Sequence, residues 1–439
     1  MVGGLERMTS VWIRGGRLID PHSGLDQPGD VHLVGGRILA LGDLPKDTRA
    51  DQIVDARGLV VCPGFVDLAA RFREPGLEHK STIARESVAA AAAGITTACQ
   101  PPDGIPVTDT PAVAQLIQER GLETQNLRIC PIGALTRGLM GRDLSEMRAL
   151  KDAGCRAVSN GYQPVANTLI LRRSLEYAAS HDLLVIIRPE DPDLADGGCA
   201  HEGVIATRMG LRGIPNAAET VAVAKVLALI EQTGARVHFS LISSARALRS
   251  IGRAQEKGLS VTADTAAHYL HLTESSIEGF DALCHVSPPF RTLEDRQALR
   301  QGVVDGVIAA VCSDHQPHDP DAKLDAFPAT EPGIAALETL LPLMLELVDE
   351  GAMTLLTALR ALTVSPARIM GLEGGRLGPD QPADLVLFDP EAKWVVGPNS
   401  WRSQGQNTPW WGKTLKGRVM ATFLAGQCVF DRRGNGDGH

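Results

Sequence analysis

Hydrophobic and polar residues alternate in short runs near both ends of the chain. Residues 11–16 (VWIRGG) and 31–36 (VHLVGG) end in Gly-Gly, and residues 383–389 (ADLVLFD) and 418–427 (RVMATFLAGQ) are closed by turn-forming residues. Alternation with a period of two, bounded by turn residues, predicts β-strands joined in hairpins. Because isolated hairpins are marginally stable in water, we predict that the two ends of the chain form one small β-sandwich domain.

Between these ends the pattern changes to short apolar runs separated by helical stretches. Residues 82–93 are rich in alanine and predict a helix that ends at Gly94, and residues 95–99 (ITTAC) predict a strand after it. Further apolar runs of strand length lie at residues 183–187, 237–241, 259–263 and 307–312. This alternation is typical of buried parallel strands, and eight such units close a TIM-like (β/α)8 barrel. The predicted domains are residues 59–372 for the barrel and residues 1–58 and 373–439 for the β domain.

The carboxyl ends of the strands are where a (β/α)8 barrel places its active site. We predict strand ends at residues 67–73, 100–103, 159–161, 188–191, 241–244, 268, 286–289 and 312–318. The last of these carries Asp314, His315 and His318, which could supply metal ligands or a general base. The alternative is that both histidines only cap or cross-link a polar loop. The other ends offer fewer candidates, chiefly Glu190 and His268.

Composition narrows the classes of partner and the compartment. The chain has 439 residues and a formal net charge of −9, so we expect neither nucleic acid nor an anionic membrane as a partner. The sequence has no apolar run of membrane-spanning length and no signal-peptide pattern, so we expect a cytoplasmic protein. Its eight cysteines stand singly, without a C-x-x-C pair, which fits a reducing compartment and excludes a zinc ribbon or a disulfide framework.

Short motifs recur in a specific order over nearly the whole chain. They are PGFVDL and REPG within 63–76, AAAAGITT at 90–97, PVTDT at 106–110, EDPDLADGG at 190–198, LRGIP at 211–215, SPPFRTLEDR at 287–296, SDHQPH at 313–318 and NTPWWG at 407–412. Together they resemble the dihydroorotases of the cyclic amidohydrolase superfamily, specifically the long type that occurs with aspartate carbamoyltransferase. The resemblance also implies a barrel flanked by a split β domain.

The resemblance places the metal-binding positions of that family on unsuitable residues. The family's His-x-His pair falls on Ala69 and Arg71, its bridging carboxylate or carboxylated lysine on Asn160, and two further histidines on Arg188 and Leu241. Alanine and leucine have no lone pairs to donate, and arginine is a fixed cation without an acceptor. The resemblance therefore implies that no metal is held at these positions.

The remaining family positions are partly retained. The resemblance assigns Asp314 to the general base and metal ligand, and Arg73 to the contact with the substrate carboxylate. His318 also remains, whereas two substrate-contacting asparagines are replaced by Asp103 and Ser287. Because metal-bound hydroxide is the nucleophile in this family, we expect no catalytic residue and no cofactor in this chain.

Two carboxylates would be left buried and unpaired in a mouth without metal, which is energetically costly. We therefore hypothesise that Arg71 or Arg188 fills the vacated space and pairs with Asp314 or Glu190. The alternative is that both arginines reach solvent through an open mouth. If they are paired, Arg188→Ala should lower the melting temperature more than the loss of an exposed arginine does.

Three functions follow from the resemblance. The first is a catalytically inactive dihydroorotase homologue that serves as a structural subunit of aspartate carbamoyltransferase in pyrimidine biosynthesis, in a hetero-dodecamer, with this chain also forming a homodimer. The second is an active dihydroorotase or related cyclic amidohydrolase with a remodelled zinc site. The third is a binding module in which Arg71, Arg73 and Arg188 hold an anionic metabolite such as dihydroorotate or carbamoyl aspartate. We also predict that Trp410 and Trp411 form a packing patch or an interface patch on the C-terminal β region.

Overall fold

The structure is a computed structural model that describes residues 10–43, 45 and 48–433. Its strands are β1 Ser10–Asp20, β2 Leu25–Val34, β3 Arg37–Gly42, β4 Gln52–Asp55, β5 Val60–Pro63, β6 Phe65–Asp67, β7 Ile95–Gln100, β8 Arg128–Pro131, β9 Gly133–Ala134, β10 Ala157–Ser159, β11 Leu184–Ile187, β12 Ala200–His201, β13 Gly213–Ile214, β14 Val237–Phe239, β15 Val261–Ala266, β16 Ala310–Cys312, β17 Leu385–Val395, β18 Thr414–Leu424 and β19 Gln427–Asp431.

The helices lie mainly between the strands of the central part. They are α1 Ile83–Ala92, α2 Pro111–Thr124, α3 Met147–Asp152, α4 Thr168–Ser180, α5 Pro192–Ala195, α6 Val204–Met209, α7 Asn216–Thr233, α8 Ala245–Glu256, α9 Leu293–Asp305, α10 Leu340–Asp349, α11 Leu355–Leu362 and α12 Val364–Ile369. In the described part of the chain, no helix combines the length and the apolar character needed to cross a lipid bilayer.

Strands from both ends of the chain form one sheet. Its order is β19-β18-β17-β5-β1-β2-β3, with β4 paired to β1. Side chains from β1 to β5 and from β17 and β18 meet in one buried cluster that includes Leu18, Val61 and Phe423, so the sheet curves around its own core. This confirms the predicted β domain built from both ends.

The β domain continues past the predicted boundary at residue 58. β5 pairs with β1 and with β17, so its residues belong to the terminal sheet. The change to the barrel comes at Gly64, where an added Cβ would lie 2.3 Å from the side chain of Thr96. Gly58, the last residue of the predicted N-terminal part, lies in a turn within the β domain, and the strand β5 that follows it still belongs to the terminal sheet.

One of the two Gly-Gly hairpin signals is confirmed and the other is wrong. Gly35 and Gly36 form the turn between β2 and β3, and both have positive φ. Gly15 and Gly16 instead lie inside β1, at a shift in register between Ile13 and Gly16 on its pairing with β2. Gly-Gly supplies the conformational freedom for a turn and for a β-bulge alike, so the local pattern does not separate them.

Eight parallel strands close the barrel in the order β6, β7, β8 with β9, β10, β11, β14, β15 and β16. β8 and β9 act as one strand interrupted at Ile132, which donates to the Gln100 carbonyl. Arg71 N donates to the His315 carbonyl at 2.9 Å and His315 N to the Ala69 carbonyl at 3.1 Å, which joins the first strand to the last. The predicted (β/α)8 barrel is confirmed.

The predicted strand before residues 286–289 is wrong. These residues form a loop. The strand that completes the set of eight is β8 with β9, which is third in the barrel order. Pro288 and Pro289 lack the N–H groups that a central strand needs, which argued against a strand. β8 and β9 were missed because Pro131 and Gly133 interrupt their apolar run.

The predicted helix and strand around Gly94 are confirmed. Thr82 caps α1 by accepting from Arg85 N, and alanines 89–92 are buried. Gly94 has a φ of 82° and is followed directly by β7. Of the two roles predicted for Trp410 and Trp411, the structure supports packing, because Trp410 is only 6% exposed and Trp411 packs against the same core.

Candidate functional site

The carboxyl ends of the barrel strands bring most of the predicted site residues to one mouth. A single small cavity of about 30 Å³ is lined by Ala69, Arg71, Arg188 and Leu241. Tyr162, which the sequence analysis did not single out, lines the same cavity. Side chains therefore fill most of the mouth.

Arg71 lies at the centre of this mouth with its side chain only 6% exposed. Its Nε and Nη2 each lie 2.9 Å from Asp103 Oδ2, and its Nη1 lies 3.2 Å from Asp314 Oδ1. Burial opposes the charge on the guanidinium, but the fields of Asp103, Tyr162 and Asp314 outweigh burial and raise the pKa of Arg71. Arg71 is therefore a buried cation held between two carboxylates.

Asp314 follows β16 and is fully enclosed, with 1% exposure and a φ of 46°. Besides Arg71, its carboxylate accepts from Tyr162 Oη at 3.0 Å and from Gln316 Nε2 at 3.2 Å. Burial raises the pKa of Asp314 to about 7, against the opposing influence of these three donors. Three side chains thus donate hydrogen bonds to this one carboxylate.

Arg188, at the end of β11, forms a second internal pair. Its Nη1 and Nη2 donate to the two oxygens of Glu190 at 3.0 and 2.9 Å. Nη1 also donates to Ser287 Oγ, and Nη2 to the Tyr162 carbonyl, each at 3.2 Å. The hypothesis that Arg71 and Arg188 pair with Asp314 and Glu190 is confirmed, and the open-mouth alternative is wrong.

Tyr162 separates the two arginines. The guanidinium carbon of Arg71 lies 4.3 Å from the centre of its ring, and that of Arg188 lies 4.6 Å from the same centre. Cation–π contacts of this kind each contribute about 0.5–2 kcal/mol. The only sequence signal was an aromatic residue two positions after Asn160 at a strand end, which by itself indicates no partner.

Asn160 and Leu241 have structural partners. Asn160 accepts from Thr136 Oγ1 at 2.6 Å and donates to the carbonyls of Leu139 and Gln163. Leu241 has a φ of 56°, and its backbone N–H donates to Asp264 Oδ1 at 2.6 Å. The amide of Asn160 is thus used to fix loops.

His315 belongs to a different network from Asp314. Ala336 N donates to its Nδ1 at 3.1 Å, so its Nε2 carries the proton and donates to Glu86 Oε2 at 3.0 Å. Glu86 also accepts from Ser81 Oγ and Gln404 N. Of the two possibilities raised for His315, the structure supports the cross-linking role.

His318 and Arg73 lie together beside the mouth. His318 Nε2 donates to the Pro332 carbonyl at 3.0 Å, and its Nδ1 accepts from Lys80 Nζ at 3.4 Å. Burial and then the charge of Arg73 lower the pKa of His318 to about 2, so the ring is neutral. Arg73 Nε donates to the Pro317 carbonyl at 3.0 Å.

Arg73 differs from the two paired arginines. Among the residues that the structure describes, no carboxylate lies within ion-pair distance of its guanidinium. Burial and the neighbouring charge of Arg71 lower the pKa of Arg73 to about 10. Arg73 is therefore a largely enclosed cation that forms no ion pair among the described residues, although the charges of Asp103 and Glu331 act on it from farther away.

The mouth residues do not fit a zinc ion. A zinc site needs at least three protein donors with lone pairs. In the part of the chain that the structure describes, no group of three histidine, cysteine or acidic ligands converges at the mouth. Arg71 occupies one side of Asp314, and a guanidinium there would repel a divalent cation.

His268, the other candidate named from the sequence, is buried among Tyr269 and Phe290. Among the described residues, neither of its ring nitrogens has a polar partner.

Comparisons with known proteins agree with this fold. Residues 58–247 match the family described as dihydro-orotase-like, and residues 343–430 match the amidohydrolase family. A dihydroorotase-like protein of Pseudomonas aeruginosa is 51% identical over 422 residues, which are 96% of this chain and all of that protein. The chain belongs to the dihydroorotase-like family. It is thus a member of the cyclic amidohydrolase superfamily.

Other members of the family carry two kinds of name. A dihydroorotase-like protein of Pseudomonas putida is 50% identical over 95% of this chain and 98% of that protein. A protein named dihydroorotase, from Syntrophus aciditrophicus, is 42% identical over 96% of this chain and 99% of that protein. Both kinds of relative align over nearly their full length, so the family extends across both domains.

Solved structures show the same architecture. The L-hydantoinase of Arthrobacter aurescens superposes with a TM-score of 0.87 at 23% identity, covering 97% of each chain. A D-hydantoinase from a Thermus species superposes with a TM-score of 0.82 at 20% identity, covering 98% of this chain and 97% of its own. At this identity the likeness concerns the fold alone.

Proposed function

We propose that this member of the dihydroorotase-like family is catalytically inactive and serves as a non-catalytic subunit of aspartate carbamoyltransferase. The observation that carries the proposal is the position of Arg71, a buried guanidinium 3.2 Å from the Asp314 carboxylate. In the resemblance these are two positions of the metal site. A fixed cation in hydrogen-bond contact with the one remaining acidic ligand excludes a divalent ion from the same place.

The chemistry of the family gives this contact its meaning. Opening a cyclic amide requires a strong nucleophile, which a bound metal supplies by lowering the pKa of water from 15.7 toward about 7. Arg71 and Arg188 supply no acceptor to hold such an ion. Asp314 could still take up a proton, but in this arrangement its oxygens already accept from Arg71, Tyr162 and Gln316. The proposal is therefore that the fold is retained for its surfaces.

A turnover assay tests the proposed inactivity. The purified full chain is incubated with dihydroorotate, with and without added Zn²⁺ and with and without the transferase. We expect no ring opening above the rate of the buffer. A relative named dihydroorotase, such as that of Syntrophus aciditrophicus, serves as the positive control. Zinc-dependent turnover by the pure chain would overturn the proposal and favour the alternative of an active, remodelled cyclic amidohydrolase.

The proposed partnership needs a separate assay. Tagged transferase catalytic chains are expressed with and without this chain, and the mass of the assembly is measured by light scattering. We expect a hetero-dodecamer that forms only when both chains are present. Ser287→Ala alters the mouth but removes only one hydrogen bond, from Arg188, so assembly should be unaffected by it. A transferase that assembles fully and is fully active alone would contradict the proposed role.

Arg73 favours a second candidate function, the binding of an anionic metabolite. Because Arg71 and Arg188 are already paired with carboxylates, the proposed three-arginine site reduces to Arg73 and its neighbours. An anion there would pair with the Arg73 guanidinium, which forms no ion pair with the described residues. Calorimetry with dihydroorotate and with carbamoyl aspartate tests it, and Arg73→Met should abolish any heat of binding. Equal heats for both proteins would rule out this site.

A further inference from the structure

A second group of metal-binding side chains lies away from the barrel mouth. It consists of His271, after the short 3₁₀ turn Ala267–Leu270, with Glu346 on α10 and Glu350 at the end of the same helix. One donor atom from each lies within 4.8 Å of the other two. The three residues face a cleft of about 560 Å³ between the α9–α10 region and the start of β18.

The ring of His271 is held in one tautomer. Its Nε2 lies 2.9 Å from the Leu343 carbonyl, and only an N–H can make that hydrogen bond. A neutral ring therefore has a bare lone pair on Nδ1. The side chain is 9% exposed, and its Nδ1 points into the cluster.

The environment of that Nδ1 is unusual. It lies 3.7 Å from Glu346 Oε2, and both atoms are hydrogen-bond acceptors. In the part of the chain that the structure describes, no donor lies within hydrogen-bond distance of this nitrogen. The lone pairs of His271 Nδ1 and Glu346 Oε2 face each other, and the Glu350 carboxylate lies nearby. A cation between these groups would stabilise the arrangement.

The surroundings also resemble the outer shell of a metal site. Histidines that ligate a metal commonly donate their other ring N–H to a carbonyl, as His271 does to Leu343. Ligating carboxylates are in turn hydrogen-bonded, and Glu350 Oε2 accepts from Arg300 Nη1 at 2.7 Å. That bond leaves the second oxygen of Glu350 for another partner. The tautomer of His271, the hydrogen bond to Glu350 and the spacing of the donor atoms therefore all fit a bound metal ion.

We propose that His271, Glu346 and Glu350 bind one divalent transition-metal ion of the zinc type, with water completing the coordination. One imidazole and two carboxylates suit Zn²⁺ better than Mg²⁺ or Ca²⁺, which prefer oxygen ligands alone. Two ligands of a tetrahedral ion with bonds of about 2.0–2.1 Å are about 3.4 Å apart, close to the 3.7 Å between His271 Nδ1 and Glu346 Oε2. The ion would link the segment after β15 to α10.

The cleft also contains cations that limit the affinity. Arg296, Arg300, Lys413 and Lys416 line it with the acidic groups. Lys416 is occupied by Asp349 at 2.9 Å and Glu391 at 3.0 Å, and Arg300 by Glu350. Arg300 is thus paired with a proposed ligand, and Arg296 Nη1 donates to the His271 carbonyl at 2.8 Å, so both cations weaken the binding of an added ion.

Metal binding by the full chain tests the site without reference to activity. Chelator-treated protein is titrated with Co²⁺ and followed by its visible absorption, and Zn²⁺ affinity is then measured by competition. We expect one equivalent per chain, and at least about tenfold weaker binding in Glu346→Gln and in Glu350→Gln. Asp349→Asn removes the same charge from the same helix end but no proposed ligand, so it should bind as the unaltered chain does.

A mouth variant separates this site from the family's metal position. Asp314→Asn should bind Co²⁺ normally, because Asp314 is not among the proposed ligands. Absence of stoichiometric binding, or binding that Glu346→Gln leaves unchanged, overturns the proposal. Binding lost in Asp314→Asn places the ion in the mouth, which overturns this proposal and also contradicts the proposed inactivity. Melting of each metal-free variant near the temperature of the metal-free unaltered chain confirms that the variants are folded.

Discussion

Arg71 and Arg188 place two buried guanidinium groups in the barrel mouth. Each guanidinium is within hydrogen-bond distance of a carboxylate, and both stack on Tyr162. A buried ion pair is weak evidence for net stability, but removing one member of it leaves an uncompensated charge. The residue-scale consequence is that the mouth is sensitive to single substitutions.

Removal of the Arg71 guanidinium should be costly. Arg71→Met keeps much of the side-chain volume but leaves Asp103 and Asp314 without their shared partner, so we expect a loss of about 3 kcal/mol in the free energy of unfolding. Arg172→Met is the matched control, because its pair with Glu176 is half exposed and should be worth less than about 1 kcal/mol. Urea denaturation measures both. Equal losses would show that the buried pair has no special weight.

The pH dependence of stability should report on Asp314. Burial raises the pKa of this carboxyl to about 7, whereas an unfolded chain titrates near 3.9. Between these values the folded state keeps a proton that the unfolded state releases, so stability falls as the pH rises from about 4 to 7. Three pKa units correspond to on the order of 4 kcal/mol. Asp314→Asn cannot titrate, so its unfolding free energy should decline less over this range. Parallel profiles for the two proteins would contradict the assigned pKa.

Part of this site was accessible from the sequence. The family resemblance together with the charge types predicted that Arg71 or Arg188 pairs internally, because buried carboxylates without metal need partners. The choice of Asp103 as an additional partner of Arg71, and the stacking of both arginines on Tyr162, could not be predicted. Those contacts depend on which strand ends are adjacent in the closed barrel.

At the scale of elements, Gly94 shows how one residue serves two functions. It ends α1 with a φ of 82°, and it lies against Val386 of the β domain and Phe65 of the barrel. An added Cβ would be 2.6 Å from Val386 Cγ2 and 2.9 Å from Phe65 Cε2. The helix end and the packing of two neighbouring strands therefore require the same glycine.

Gly94→Ala should destabilise the protein more than a positive φ alone explains. The backbone strain costs about 1 kcal/mol, and the overlap with Val386 and Phe65 adds about 1–3 kcal/mol. Gly258→Ala tests the backbone cost by itself, since Gly258 follows α8 with a φ of 81° and no atom lies within 4 Å of its added Cβ. Thermal and chemical denaturation compare them. Similar losses for both variants would exclude the packing contribution.

The accuracy of the predicted elements follows the strength of the local signal. α1 and β7 were predicted closely because the alanine-rich run, the glycine and the apolar strand agree with one another. β8 with β9 and the loop at 286–289 were confused because prolines and glycines occur in both. In β8 and β9 the barrel neighbours enforce a strand that the local sequence supports only weakly.

On the scale of the whole molecule, Asp384 joins the two domains. Its carboxylate is 8% exposed and accepts from Arg128 Nη1 in the barrel at 2.7 Å and from Ala425 N in the β domain at 2.8 Å. Its carbonyl accepts from Gly64 N, where the chain passes from one domain to the other. The union of the two chain ends was predictable from hairpin stability, but this junction was not.

Loss of the Asp384 carboxylate should weaken the junction. Because Arg128 is 42% exposed and partly solvated, we expect Asp384→Ala to cost about 2 kcal/mol of unfolding free energy rather than the full value of a buried pair. Asp26→Ala removes a pair with Arg17 that lies within the β domain and is largely exposed, so it should cost less than about 1 kcal/mol. Calorimetry measures both. An Asp384→Ala protein as stable as the Asp26→Ala protein would show that the junction is not stabilised by this carboxylate.

The shared stacking of Arg71 and Arg188 on Tyr162 has an evolutionary consequence. A histidine introduced at either arginine alone would strip a carboxylate of its counter-ion and a tyrosine of one of its two stacking partners. Several ligands would have to be introduced together to create a metal site at this mouth, because each single replacement of an arginine is expected to lower stability. Residues 71, 162 and 188 are therefore expected to covary among close relatives.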